Sequence, residues 1–189
     1  MTPRTANRIK LLAVLAFFAA PIAVVLALKY GGYQPVASRN HGALVEPALD
    51  FRAVAAYGET DWKVDWANPE GRFRVLVPLP APCDARCRRM VDSMQRVYVG
   101  LGRRAGRVDV LFAGLPDEIT RMLLERFPQA RVIALDDVAL PAATAPAPGD
   151  DALAPLPAYV VDPHGYLILR YDPGFDPLGL RADLAKLAR

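Results

Sequence analysis

Leu11–Leu28, LLAVLAFFAAPIAVVLAL, runs for eighteen residues without a charge. As a helix rising about 1.5 Å per residue it would be about 27 Å long, close to the hydrocarbon thickness of a bilayer. Pro21 inside it is compatible with a membrane helix, where the freed backbone group finds other partners. Arg4, Arg8 and Lys10 precede the run and only Lys29 follows closely. That asymmetry of positive charge puts residues 1–10 in the cytoplasm and everything after the run across the membrane. The alternative is a cleaved signal peptide, whose apolar region is shorter, about 7–15 residues, and ends in a small-x-small site. Leu26-Ala27-Leu28-Lys29-Tyr30 is a poor site of that kind. The expectation is therefore a retained single-pass anchor over 11–28, with Tyr30 and Tyr33 as interfacial aromatics. The simplest setting is a bacterial inner membrane with a periplasmic C-terminal domain, and disulfides persist in that space.

The whole chain is 189 residues, enough for one globular domain behind an anchor. Its net charge is +3 and its charges are dispersed, with no dense Lys/Arg block, so nothing argues for nucleic acid. Two cysteines are too few for a disulfide scaffold.

Residues 29–48 contain glycine and proline and keep no hydrophobic period, which predicts a linker with little structure. The domain then spans 49–189. Leu49–Tyr57 reads as a short strand, and Trp62 and Trp66 as packing residues ahead of the turn Asn68-Pro69-Glu70-Gly71. Phe73–Val77 reads as a buried strand, stopped by the prolines at 78, 80 and 82. From Asp84, apolar residues at Cys87, Met90, Val91, Met94, Val97, Tyr98 and Leu101 predict an amphipathic helix of about five turns. Further strands are predicted at 108–112, 131–135, 159–162 and 166–171, and helices from Pro116 to about Phe127 and from Leu178 to Leu187. Alternating strands and helices predict an α/β domain with a mainly parallel sheet covered on both faces, closed by a hairpin and a helix in a thioredoxin-like pattern.

Both cysteines, Cys83 and Cys87, fall where a strand ends and a helix begins. Two thiols four positions apart meet on one face of a helix, or across its first turn if Cys83 lies just before it. The helix N-terminus stabilises a thiolate, and Arg86, Arg88 and Arg89 add positive charge. A thiolate is the nucleophile of disulfide exchange and also a ligand for soft Cu(I). The third possibility is a static brace, though a loop this short removes little chain entropy. Zinc is disfavoured, since there are only two histidines and no third cysteine.

A membrane anchor, a thioredoxin-like pattern, Cys-x3-Cys after a strand and the hairpin Tyr159-Val160-Val161-Asp162-Pro163-His164-Gly165-Tyr166 together resemble the Sco proteins. Tyr30-Gly31-Gly32-Tyr33, Asn40-His41-Gly42-Ala43-Leu44 and Gln95-Arg96-Val97 are similar to small bacterial membrane proteins of cytochrome oxidase biogenesis. The resemblance implies an assembly factor for cytochrome c oxidase. It would use Cys83 and Cys87 either as a thiol–disulfide reductant of the copper-site cysteines or as a Cu(I) carrier, its partner being an oxidase subunit or another assembly factor. A non-catalytic assembly protein is the third role. On the redox reading Cys83 attacks and Cys87 resolves. Thioredoxin-like folds also carry a cis-proline facing the cysteine pair, which makes Pro157 a candidate, with Pro155 as the other. One departure is plain. The histidine that Sco proteins place before the hairpin strand is missing from 151–158, so a Cys2His copper site does not carry over. His41 is left as a possible third ligand from the linker, and His164 as a solvated turn residue.

Overall fold

The computed structural model describes residues 3–31, 40–58, 62–114, 117–135, 140 and 156–189. Two compact units divide the chain, Met1–Arg39 and Asn40–Arg189. The first holds one long helix, α1 (Pro3–Tyr30), with Pro21 inside it. Its stretch Lys10–Leu28 is long and apolar enough to cross a membrane, and none of it is buried. Leu11, Phe17, Phe18 and Ile22 stand outward, as side chains do that meet lipid rather than a protein core.

The second unit contains β1 (Ala43–Asp50), β2 (Ala56–Gly58), β3 (Phe73–Pro78), α2 (Ala85–Gly100), a 3-10 turn at Gly102–Arg107, β4 (Val108–Ala113), α3 (Glu118–Glu125), β5 (Ala130–Leu135), β6 (Ala158–Val161), β7 (Tyr166–Tyr171) and α4 (Pro177–Leu187). The described strands form one sheet in the order β1-β7-β6-β3-β4-β5-β2. Only β3–β4 and β4–β5 run parallel; β6, β7, β1 and β2 join antiparallel. The sheet is thus mixed rather than mainly parallel, because only those two steps are spanned by crossover helices.

Period-two alternation splits the sheet residues between two cores. Val75, Val77, Val110, Phe112, Val132 and Val160 pack with α2 and α4, and the apolar side of α3 joins them. Leu76, Leu111, Ile133, Tyr159 and Val161 face the other way. There they meet Phe51, Ala56, Val64 and Trp66. The three described helices of this unit therefore cover one face, and described residues between β1 and β3, Phe51, Ala56, Val64 and Trp66, cover the other. The reason is the strand order: β3, β4 and β5 step in one direction, so two right-handed crossovers deposit their helices on the same side. Trp66 fixes the second cover. It is 1% exposed, its indole N–H donates to the Val54 carbonyl at 2.8 Å, and its ring meets Phe51 edge-on.

β1 occupies residues that the sequence assigns to the linker, and it starts at Ala43 rather than Leu49. Most of its side chains are exposed, and its register with β7 slips between Leu44 and Leu49 around Pro47. An edge strand interrupted by proline carries no hydrophobic period for sequence reasoning to find.

Candidate functional site

Cys83 and Cys87 are joined by a disulfide, with their Cα atoms 5.3 Å apart. The bridge stands at the C-terminal end of β3, where Pro78 ends the strand and Asp84 opens α2. Asp84 is the N-cap, in extended conformation, and its Oδ1 accepts the Cys87 amide at 2.9 Å. Cys83 thus lies just before the helix and Cys87 in its first turn. Of the two placements the sequence allows, the structure takes the second.

A second carboxylate holds the bridge from the other side. Asp117 caps α3, accepting the Thr120 amide at 2.7 Å, and its other oxygen accepts the Cys83 amide at 2.7 Å. Two helix caps therefore converge on one disulfide. The Cys83 amide holds the Asp117 carboxyl below the usual carboxylate range, and the Cys87 amide does the same for Asp84. The arginines at 86, 88 and 89 are all exposed, and Arg86 turns its guanidinium back to Asp84 at 3.1 Å.

The backbone leading into the bridge is pinned to β4. The Leu79 amide donates to the Ala113 carbonyl at 2.8 Å. Gly114, at φ +153°, lets the two segments close up, since a Cβ there would stand 3.0 Å from the Leu79 carbonyl oxygen. Both sulfur-bearing side chains are buried, Cys83 at 4% and Cys87 at 0% exposure, in the core that also holds Met90, Leu156 and Ala158. Cys83 is the more accessible of the two by this narrow margin.

Pro157 lies between Leu156 and Ala158, two members of that same core, and is half-buried itself. Among the described residues the cis peptide bonds are Glu46–Pro47 and Ala81–Pro82, the second immediately before Cys83; the Leu156–Pro157 bond is not one of them. Pro155 lies outside the described residues.

Neither histidine approaches the bridge. His41 precedes β1 at the same end of the sheet, but β1, β7 and β6 put it three strand spacings from β3, about 14 Å at roughly 4.8 Å per strand. Its Nδ1 stands 3.2 Å from Asp183 Oδ1 on α4. His164 sits in the exposed β6–β7 turn, at the opposite end of the sheet from the cysteines. Among the described residues no group of three or more His, Cys, Asp or Glu side chains could hold a metal ion.

Sequence reasoning missed the carboxylates. Asp84 three residues before Cys87 carries the signature of a helix N-cap, and Asp117 three before Thr120 carries the same one. That Asp117 also holds Cys83 depends on α2 and α3 packing side by side, a tertiary fact without a local signal.

Residues 73–189, from β3 through α4, match the family model described as "Transmembrane-like, thioredoxin-like, C-terminal domain". The chain belongs to this family. Among curated proteins no sequence matches it. Among solved structures, this thioredoxin-like domain is similar to the apo Sco1 protein from Thermus thermophilus, at 18% identity and TM-score 0.53, over 81% of this chain and 98% of that one. It is also similar to BsSco, a member of the Sco family of cytochrome c oxidase assembly proteins for which a disulfide switch is described, at 13% identity and TM-score 0.51, over 76% and 97%. A third likeness is to copper-bound ScoI from Arabidopsis thaliana, at 14% identity and TM-score 0.50, over 77% and 96%. At these identities the likeness is one of fold.

Proposed function

We propose that the chain is a membrane-anchored, thioredoxin-like assembly factor for cytochrome c oxidase, and that Cys83 and Cys87 act as a thiol–disulfide reductant of the copper-site cysteines. The observation that carries this reading is the bridge itself, set at the N-terminus of α2 with no imidazole beside it. In the reduced domain the Cys83 thiolate attacks one sulfur of a target disulfide. That bond breaks, a Cys83–target bond forms, and the released target sulfur takes a proton. The Cys87 thiol then loses its proton and attacks Cys83, which closes the intramolecular bridge and frees the second target thiol. The target gains two electrons and two protons, the domain loses them, and a dithiol donor restores it. Helix α2 favours the thiolate at its positive end. Anchoring by α1 in a bacterial inner membrane, with the domain in the periplasm, keeps the pair beside a membrane-bound partner.

The second reading treats Cu(I) as cargo. Once reduced, the two thiolates are close enough together to share one soft ion. A competition titration separates the readings. The full-length protein, solubilised in detergent, reduced and anaerobic, is titrated with Cu(I) against a chelator, with the Cys83→Ser/Cys87→Ser variant as control. The reduced protein is separately mixed with an oxidase copper-site segment carrying its disulfide. The proposal expects target thiols to appear as domain thiols disappear, one for one, and no copper binding above the control. Tight binding of one copper per chain without thiol transfer would replace the reductant by the carrier.

A further inference from the structure

The parallel strands β3, β4 and β5 carry the bridge at one end and a cleft at the other, about 20 Å away over six residues at roughly 3.3 Å each. A cavity of about 260 Å³ opens there, and an adjoining one of about 350 Å³ shares Asp65, Arg72, Arg74, Asp109 and Arg131 with it. Arg72 is occupied by two of the cleft's carboxylates, reaching Glu70 at 2.8 Å and Asp109 at 3.0 Å, and Asp65 is a third acidic residue in the lining. Arg74 is different. It is 8% exposed and donates to the Trp66 carbonyl. Among the described residues no carboxylate stands within 4.0 Å of its guanidinium. Burial pulls its pKa down, against the attraction of Asp109 and Asp65. The guanidinium also lies over the Trp66 ring at 5.8 Å, and with one donor spent on the Trp66 carbonyl it keeps N–H groups for a ligand in the cleft. At the mouth, Arg131 stands over the Trp62 ring at 4.9 Å.

We infer that this cleft binds a small oxyanion, carboxylate or phosphate, between Arg74 and Arg131. The fork of a guanidinium matches both anions in two-point geometry. Trp62, Tyr98 and Val108 give the first cavity apolar walls, which would receive the body of an organic acid. The site is separate from the cysteines and stands whether or not they exchange electrons.

The test is isothermal titration of the full-length protein in nonionic detergent, at fixed ionic strength, with benzoate and with inorganic phosphate. Tryptophan fluorescence is read in parallel. The inference predicts saturable one-to-one binding of at least one probe, weakened about tenfold or more in Arg131→Met, as expected for loss of one charge-assisted contact. Arg74→Gln is predicted to abolish it. Preference for benzoate assigns a carboxylate ligand, and preference for phosphate a phosphorylated one. Failure of both probes to saturate would overturn the site, as would equal affinity in Arg131→Met. Arg131 is exposed, so that variant decides the matter even if Arg74→Gln fails to fold.

Discussion

Asp183 is 1% exposed and surrounded by donors: the backbone amides of His41 and Gly42, the Tyr171 hydroxyl, Lys186 Nζ and the His41 ring. Burial pushes its pKa up, but the bonds from Gly42, Lys186, His41 and Tyr171 outweigh it and hold the carboxyl at about 2. A folded-state value below the unfolded one, near 3.9, means stability that is fully present above about pH 5 and lost as pH falls toward 2, on the order of 2 kcal/mol. Asp183→Asn should therefore lower stability at neutral pH by about 2–4 kcal/mol. In a melt that is several degrees, at about 2–4 °C per kcal/mol for a chain of this size. The same variant should flatten the acid limb of the stability profile. An unchanged acid limb would mean that other groups carry it. Asp117 makes a second prediction at this scale. Asp117→Ala removes an N-cap and the acceptor of the Cys83 amide together and should lower the melting temperature, while Asp117→Asn, which keeps an oxygen, should lower it less. If the alanine variant melts like the parent, the two bonds add nothing. Their local partners, Thr120 and Lys186, are three residues off, but the long-range ones have no local signal, since they lie 34 residues away for Cys83 and 142 for His41.

At the scale of elements, legibility followed burial. β3, α2, β4 and β7 were recovered within a residue or two because each presents a run or a period of apolar side chains to the sheet's cores. Residues 43–48 of β1 fall in the predicted linker because this exposed edge has no such period. The apolar spacing predicts α3 about two residues too long at its C-terminal end. Its helix stops at Glu125, yet Phe127 still packs in the core, so apolar spacing continues past the last helical turn. The single-sided placement of the helices depends on crossover handedness and strand order, which a list of elements does not contain. The junction of β3 and β4 gives a test here. Gly114→Ala forces a side chain toward the Leu79 carbonyl at a backbone angle suited to glycine, and should destabilise by about 1–3 kcal/mol. A chemical-denaturation midpoint equal to that of the parent would show that the β3–α2 approach relaxes freely.

For the molecule as a whole, the sequence disclosed the cysteine pair, its setting before a helix and the apolar segment ahead of the domain. It did not disclose that the pair is bridged and buried, or that the histidines lie elsewhere. Those facts depend on long-range pairing. A bridge closing so short a loop contributes only about 2 kcal/mol through chain entropy, so bracing alone is a modest use for it. The direct measurement is the midpoint potential of Cys83–Cys87 in the full-length protein in detergent, equilibrated in dithiol redox buffers and read by thiol trapping. A reversible two-electron transition above about −300 mV, lost when either cysteine is replaced by serine, is the predicted result for an exchanging pair. A bridge that stays oxidised well below that potential would contradict it, and would make Cys83–Cys87 a structural staple.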